Sequence, residues 1–385
     1  MLLTEEVEEV ELGFLEETNA CILIAREIPE PIIDYGRMET WMSDLFAPYE
    51  LKGLSLKNRI VMPPMCQYSV DKEDGIPNDW HYVHYVSRAI GGTGFIIVEM
   101  TGVHPDGRIT NRDTGIWSDS QIEAYRRITD GVHAYGSKIA VQLGHAGRKA
   151  VDAETPVAPS AIPFDANSTT PQALSKEGIS ALIEAFREGA RRAVEAGFDT
   201  VEIHGAHGYL IHQFHSPLTN IREDEYGQDP ALFGEQVVKA VREVVPVDMP
   251  LIMRISAKEY VEGGYDADYA LDICRRYKNA GVDMFHVSSG GEGPIGSNGG
   301  PNAGPAYQVD LAEFIRSGLQ VPVIAVGRLE SFTEAQSIVA EERAELVAVG
   351  RGMLSDPYWA LHAEEALGGV HNVPKPYERG IWKKG

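Results

Sequence analysis

Eight short apolar segments, spaced along the chain from residue 45 onward, constrain the fold more than any other feature. Their nearly continuous Val, Ile and Leu content is typical of parallel strands that are buried on both faces. Amphipathic stretches lie between them, and Ile179–Ala196 and Leu232–Val245 have helical periodicity. This alternation predicts a (β/α)8 barrel. The predicted strands lie within Arg59–Met65, Gly94–Val103, Lys138–Leu143, Thr200–Ile203, Leu251–Ile255, Met284–Val287, Pro322–Val326 and Leu346–Val349.

A doubly wound open sheet is the alternative that has the same alternation. Such a sheet more often carries a G-x-G-x-x-G pattern after its first strand, and none follows Met65. We therefore predict a single α/β TIM barrel. Ahead of it, Leu45–Asn58 predicts two short strands about Lys52-Gly53, a hairpin lid at the bottom of the barrel. Val151–Ser175 has neither strand nor helix periodicity, which predicts a long loop after the third barrel strand.

The chain divides into an acidic extension, residues 1–44, and a barrel domain with a C-terminal tail, residues 45–385. A formal net charge of −23 argues against nucleic acid and against a polybasic membrane contact. That charge fits either a halophilic source or an ordinary acidic protein. Three cysteines are too few for a disulfide framework or a closed zinc site, so we expect no metal. Because the start lacks a signal-peptide pattern, we expect a cytoplasmic protein.

Two strand ends carry the same dipeptide, and the active sites of TIM barrels lie where strands end. The seventh predicted strand runs into Gly327-Arg328 and the eighth into Gly350-Arg351. Glycine lets the backbone approach an anion closely, and arginine supplies a forked donor. Either pair alone would equally be a turn with a surface cation. Both together, after strands seven and eight, predict a phosphate site.

Residues able to do acid–base chemistry follow two other strands. His204 and His207 come after the fourth strand, with Tyr209 two residues further. Two imidazoles so placed could bind zinc, act as acid and base, or hold a carbonyl oxygen. No tight motif provides further zinc ligands, and Tyr209 could donate a proton. Cys66, at the end of the first strand, is either a buried small hydrophobe or a group that tunes a cofactor.

These residues and their surroundings resemble the old yellow enzymes, in particular the thermophilic-like (class III) bacterial ene-reductases. The resemblance runs from about Leu45 to Trp382 and is carried by LKNRIVMPPMCQYS, QLGHAGRKA, EIHGAHGYLIHQFHSPLTNIREDEYG, VGRGMLSDP and YERG. It implies a non-covalently bound FMN that is reduced by NADPH or NADH. It also implies that the hydride passes to the C=C bond of an α,β-unsaturated carbonyl or a related activated alkene.

The resemblance also assigns roles to single residues. His204 and His207 would bind the carbonyl of the acceptor, Tyr209 would protonate its α-carbon, and Tyr68 would close over it. Arg379 would enter the site of a neighbouring subunit in a homodimer or homotetramer. The cofactor-binding residues would be Pro63, Pro64, Met65, Cys66, Met100, Gln142, Arg254, Gly327, Gly350 and Arg351.

Some features depart from the family pattern or leave other functions open. Met100 replaces a small residue, and Gly290–Gly304 is unusually rich in glycine. Before Arg379, the stretch Pro374-Lys375-Pro376 predicts an extended tail that could reach a neighbour. A non-redox lyase or isomerase that binds a phosphorylated metabolite would share the phosphate signature. A barrel that binds flavin without catalysis would share it as well.

Overall fold

The structure, a computed structural model, describes residues 44–293, 304–369 and 373–380. The predicted acidic extension, apart from Asp44, and most of Gly290–Gly304 lie outside these ranges. The strands within them are β1 (Tyr49–Leu51), β2 (Leu54–Leu56), β3 (Ile60–Met62), β4 (Phe95–Gly102), β5 (Lys138–Gly144), β6 (Val157–Ala158), β7 (Gln172–Ala173), β8 (Thr200–Gly205), β9 (Leu251–Ser256), β10 (Met284–Ser288), β11 (Val323–Val326) and β12 (Leu346–Ala348).

Helices cover the outside of the sheet. Among the described residues none is long and apolar enough to cross a membrane. The helices are α1 (Asp79–Ile90), α2 (Ile122–His133), α3 (Lys176–Glu195), α4 (Leu210–His215), α5 (Glu225–Gln228), α6 (Leu232–Val244), α7 (Ala267–Ala280), α8 (Val309–Leu319), α9 (Phe332–Ala340), α10 (Arg351–Ser355) and α11 (Trp359–Leu367).

Eight of the strands form a closed parallel barrel, which confirms the predicted TIM fold. They are hydrogen-bonded in the order β3, β4, β5, β8, β9, β10, β11 and β12, and β12 pairs with β3. Each of the eight predicted apolar segments overlaps one of these strands, and four of the strands run one or two residues past the predicted end. The two helical patterns are confirmed as α3 and α6. Helix α3 begins after Ser175, whose side chain accepts the Gly178 N–H as an N-cap.

The interior of the barrel has two layers of different polarity. Near the start of the strands it is apolar, and Leu54 and Leu56 of the β1–β2 hairpin pack into it. This confirms the hairpin that was predicted to close the bottom of the barrel. Alternation along the strands then brings polar side chains inward at the upper end. The inward-facing residues of this polar layer are Gln142, Glu202, His204, Arg254 and His286.

Two details differ from the sequence-based expectation. Within Val151–Ser175 the chain forms a parallel pair, β6 with β7, so the prediction of no strand there is wrong. Strands of two residues are too short to show a period. The prediction of an extended C-terminal tail is also wrong. Lys375–Gly380 forms a 3-10 turn, and Tyr377 N–H donates to Pro374 O. Proline fixes φ at a value that the first turn of a helix accepts.

Candidate active site

A cavity of about 890 Å³ opens at the carboxyl ends of the barrel strands. This is the face at which TIM barrels carry their active sites. Its lining includes residues that follow β3, β8, β9, β10, β11 and β12. Ten of the residues predicted from the sequence line it: Pro63, Pro64, Met65, His207, Tyr209, Arg254, Gly327, Arg328, Gly350 and Arg351.

The other predicted residues do not line the cavity itself. Met100 packs with Cys66 and Tyr209 in one apolar cluster. The Tyr68 side chain lies beside the Cys66 thiol. Arg379 lies on the exposed 3-10 turn at the end of the described chain. Gln142 and His204 lie in the polar layer of the barrel, where both are buried.

The turn after β8 brings His204, His207 and Tyr209 together. The His204 ring lies edge-on to the other two, with centroids 5.2 Å from His207 and 4.9 Å from Tyr209. His207 and Gly208 both have positive φ, 59° and 71°. A Cβ at position 208 would lie 2.3 Å from the Gly291 carbonyl oxygen, so glycine is required there. This tight turn aims His207 and Tyr209 at the cavity.

Burial fixes the protonation states of these groups. It lowers the pKa of both His204 and His207 well below the usual range, and the Arg254 charge adds to the effect. Both imidazoles are therefore neutral. His204 Nδ1 accepts the Ala206 N–H at 3.3 Å, so its hydrogen is on Nε2. Burial raises the pKa of Tyr209, which keeps its proton at neutral pH.

His207 is held by a hydrogen-bond chain that leads to the loop after β10. Its Nε2 lies 2.7 Å from Ser288 Oγ, which donates to Gln308 Oε1 at 3.1 Å. Because the serine hydroxyl donates to the amide oxygen, it accepts from His207 Nε2–H. The backbone N–H of His207 donates to Ser256 Oγ at 3.0 Å.

Lys149 is a cavity residue that sequence reasoning did not single out. Its ammonium donates to His207 O at 2.8 Å and Gly291 O at 3.1 Å. It lies 4.5 Å from the Phe164 ring centroid and 5.0 Å from that of Tyr209. Burial lowers the pKa of Lys149 to about 8. Lys149 lies in the quoted QLGHAGRKA segment, but it is five residues past the end of β5, beyond the strand-end residues that were considered.

A buried ionic cluster lies under the same turn. His212, Glu259 and Glu292 come close enough together to consider a metal site. However, His212 Nδ1 accepts the Gly208 N–H at 2.7 Å, and its Nε2 lies 3.0 Å from Glu259 Oε1. Glu292 is paired with Arg148. Through these contacts the three side chains support the turn at Gly208.

The polar layer beneath the cavity presents a row of hydrogen-bonding groups. Gln142 Nε2 donates to Glu202 Oε1 at 2.6 Å, which leaves the Gln142 amide oxygen as an acceptor. Glu202 Oε2 also lies 2.7 Å from His286 Nδ1. Arg254 is buried, and its Nε has no hydrogen-bond partner among the described residues. A planar heterocycle that both donates and accepts would satisfy these groups.

The opposite side of the cavity suits an anion. Gly327 follows β11, Gly350 lies two residues past the end of β12, and Arg351 begins α10. Gly327 has a φ of 130°, which side-chain-bearing residues rarely adopt. Fold and site together define a TIM-barrel protein that binds a planar, phosphorylated cofactor at the carboxyl face of its strands.

Comparisons with known proteins agree with this class. The profile of the NADH:flavin oxidoreductase / NADH oxidase family matches residues 44–368. An NADPH dehydrogenase of Listeria monocytogenes serotype 4a is 48% identical over 346 residues, 89% of this chain and 100% of the relative. Morphinone reductase is similar in structure, with a TM-score of 0.73 and 30% identity over 86% of this chain and 92% of that one. For the old yellow enzyme from Trypanosoma cruzi the TM-score is 0.73, with 28% identity over 87% and 95%.

The chain belongs to this family, the old yellow enzymes, and is an oxidoreductase that binds FMN and uses NADPH or NADH. The non-redox lyase or isomerase considered from the sequence is therefore wrong. The cavity and the polar layer beneath it fit FMN, since the Gln142 oxygen and Arg254 can meet a pyrimidine edge. Gly350 and Arg351 can meet its phosphate.

Proposed function

We propose that this enzyme reduces the C=C bond of α,β-unsaturated carbonyl compounds and related activated alkenes. The observation that carries the proposal is the grouping of two neutral imidazoles and a protonated phenol in one cavity. When bound there, FMN supplies the redox chemistry, accepting hydride from NADPH or NADH and giving it up to the alkene. The side chains of this chain then have to hold the acceptor, stabilise charge on it and supply a proton.

The cofactor would be held by three groups of side chains. Gln142 and Arg254 would bind the pyrimidine edge from the polar layer. Gly327, Gly350 and Arg351 would bind the phosphate at the other side. The apolar wall would come from Pro63, Pro64 and Met65, and Cys66 and Met100 would complete it.

His204 and His207 would bind the carbonyl oxygen of the acceptor. The hydrogen of His204 is on Nε2, so the ring is a donor without taking up a proton. The His207 Nε2–H donates to the Ser288 hydroxyl, and in the complex it would donate to the carbonyl oxygen of the acceptor instead. Paired donors stabilise the negative charge that builds on the oxygen as hydride arrives at the β-carbon.

Tyr209 would deliver the proton to the α-carbon. Its phenol is largely buried and protonated, and its ring centroid lies 4.9 Å from that of His204. The Lys149 ammonium, 5.0 Å from the ring centroid, would stabilise the phenolate that remains. Tyr68 would close over the acceptor from the loop after β3, where its side chain is 43% exposed.

A variant with His204→Ala and His207→Ala tests this assignment. Loss of one oxyanion donor costs about 10²–10³ in rate, so turnover of 2-cyclohexenone should fall by at least that factor. FMN should stay bound, as its visible absorbance would show. His362→Ala, an exposed histidine on α11, is the control. Turnover within about twofold of the wild type in the FMN-loaded double variant would exclude the assignment.

A further inference from the structure

An irregularity in β4 places a carboxyl group behind the active site. The register between β4 and β5 shifts between Val98 and Met100. Phe95 and Ile97 face the barrel interior, and regular alternation would continue with Glu99 inside and Met100 outside. The extra residue of the bulge turns Glu99 outward and returns Met100 to the interior, opposite Gln142.

Glu99 is fully buried between α1 and the loop after β3. Its Oε2 accepts the backbone N–H of Gln67 at 2.7 Å, and its Oε1 accepts the Tyr85 hydroxyl at 3.2 Å. His81 Nδ1 accepts the Asn78 N–H, so the hydrogen of this ring is on Nε2, 3.4 Å from Glu99 Oε1. The carboxyl thus ties the loop after β3 to the first helix.

The residue that Glu99 holds, Gln67, lies between two predicted site residues. Tyr68 has a φ of 51°, a left-handed conformation that is unfavourable for a non-glycine residue and needs support from its surroundings. Gln67 gives part of this support, because its Nε2 donates to Met65 O at 2.8 Å. The Tyr68 hydroxyl meets the Cys66 thiol across the same turn.

We propose that Glu99 is a positioning residue: by accepting the Gln67 N–H, its carboxyl fixes Cys66 and Tyr68 at the acceptor side of the cavity. The inference rests on the proposed function, which puts Tyr68 and Cys66 in contact with acceptor and cofactor. It adds a residue that touches neither and acts through the backbone of Gln67. The same bulge that turns Glu99 outward brings Met100 to the cluster with Cys66.

What matters in this arrangement is the reach of the side chain rather than its charge. Burial raises the pKa of Glu99 to about 8, and the nearby Asp113 charge adds to the effect. A protonated carboxyl still has a carbonyl oxygen that can accept from Gln67. The tether therefore persists in both protonation states. Glutamine, which has the same length and an amide oxygen, should replace glutamate, whereas aspartate should not.

The test compares Glu99→Gln, which keeps the reach and removes the charge, with Glu99→Asp, which keeps the charge and shortens the side chain by about 1.5 Å. The first readout is alkylation of Cys66 by iodoacetamide in the FMN-loaded enzyme without acceptor, followed by peptide mass spectrometry. Buried Cys274 is the internal control. The second readout is the acceptor KM, with the rate of flavin reduction by NADPH measured separately.

In Glu99→Asp we expect Cys66 alkylation to become about tenfold faster and the acceptor KM to rise by about the same factor, as for a lost hydrogen bond. The variant should still bind FMN, which a general loss of structure would not allow. Glu99→Gln should match the wild type in all three. If Glu99→Asp matches the wild type, or if Glu99→Gln is as impaired as Glu99→Asp, the proposal is overturned.

A second comparison decides the matter if Glu99→Asp does not fold. At pH 6, where Glu99 is protonated in the wild type and its charge does not act on the Cys66 thiol, wild type and Glu99→Gln should be alkylated at Cys66 at the same rate. A severalfold difference at pH 6 would mean that the amide oxygen does not replace the carboxyl group, and would overturn the proposal. The alkylation result stands even if the enzyme reduces no enone, so failure of the proposed function and failure of the tether are distinguishable.

Discussion

At Tyr209, burial raises the pKa of the phenol, while at His204 and His207 it lowers the pKa of the imidazolium. Both shifts have the same cause, the cost of a charge in a site with little water. All three groups are consequently uncharged hydrogen-bond donors across the neutral range. Arg254 and Lys149 keep positive charge near them, which suits a reaction that builds negative charge on the acceptor.

Tyr209→Phe separates the two halves of the reaction. It keeps the ring that packs against His204 and Met100 but removes the proton. Anaerobic stopped-flow measurements should show normal flavin reduction by NADPH and reoxidation by an enone slowed by about 10²-fold or more. Tyr260→Phe, another cavity tyrosine, is the control and should affect neither step strongly. A Tyr209→Phe enzyme impaired only in flavin reduction would contradict the role.

Single residues were predictable where a strand end marked them. His204, His207 and Tyr209 follow a β-branched run, and the barrel rule places them at the site. Glu202 was missed although it shares a face of β8 with His204, two residues away, and period-2 reasoning could have found it. His286 and Lys149 are different, since their partners Glu202 and His207 lie far away in the sequence. No local pattern encodes those contacts.

Helices and strands were predictable where the apolar run was long enough to show its period. All eight barrel strands were found because buried parallel strands are continuous apolar runs. The bulge at Glu99 was not found, because the sequence Phe95–Gly102 reads as an uninterrupted strand. Its register becomes visible only against β5. The assignment of Met100 to the flavin, made by resemblance, depends on this extra residue.

The bulge buries the Glu99 carboxyl group, and this burial makes the free energy of unfolding depend on pH. Burial raises the pKa of Glu99 from 4.5 to about 8, so the folded protein binds this proton more tightly than the unfolded chain. The contribution of Glu99 to stability is therefore complete below pH 4.5 and is lost as the pH rises through about 8. The Glu99→Gln variant has no carboxyl group at this position, so its stability does not fall with pH for this reason.

Urea denaturation at several pH values measures this difference. Relative to the wild type, Glu99→Gln should gain unfolding free energy between pH 4.5 and pH 8.5, by at most about 5 kcal/mol. Glu123→Gln, an exposed glutamate on α2, is the control and should follow the wild type. Equal pH slopes in wild type and Glu99→Gln would show that Glu99 does not carry a perturbed proton.

On the scale of the whole molecule, the C-terminal turn is poorly accounted for by a single chain. None of the residues of Lys375–Gly380 is buried, and the Tyr377 hydroxyl lies 3.3 Å from the Tyr358 hydroxyl. Exposed turns of this kind usually fray. Its regular form suits a segment that packs against another subunit, and we propose a homodimer or homotetramer in which Arg379 enters the neighbouring site.

Arg379→Ala should raise the KM for acceptor or nicotinamide about tenfold without lowering the melting temperature, as expected when one hydrogen-bonding cation is lost. Lys375→Ala, on the same turn, is the matched control. Removal of residues 374–385 should lower the mass measured by analytical ultracentrifugation. A truncated enzyme that keeps both its oligomeric mass and its full activity would exclude the crossing arginine.

Because the hairpin closes the bottom of the barrel, it restricts how coenzyme and substrate reach the cavity. Leu54 and Leu56 fill the space beneath the polar layer, so whatever reaches the cavity must come from the carboxyl side of the strands. The nicotinamide and the alkene of the proposed reaction would then use the same opening, and we expect the alkene to enter only after the nicotinamide has left. Double-reciprocal plots of the steady-state rates should therefore give parallel lines. High NADPH should inhibit, because NADPH that binds after the flavin is reduced occupies the site that the alkene needs. Intersecting lines would mean that nicotinamide and alkene bind at the same time.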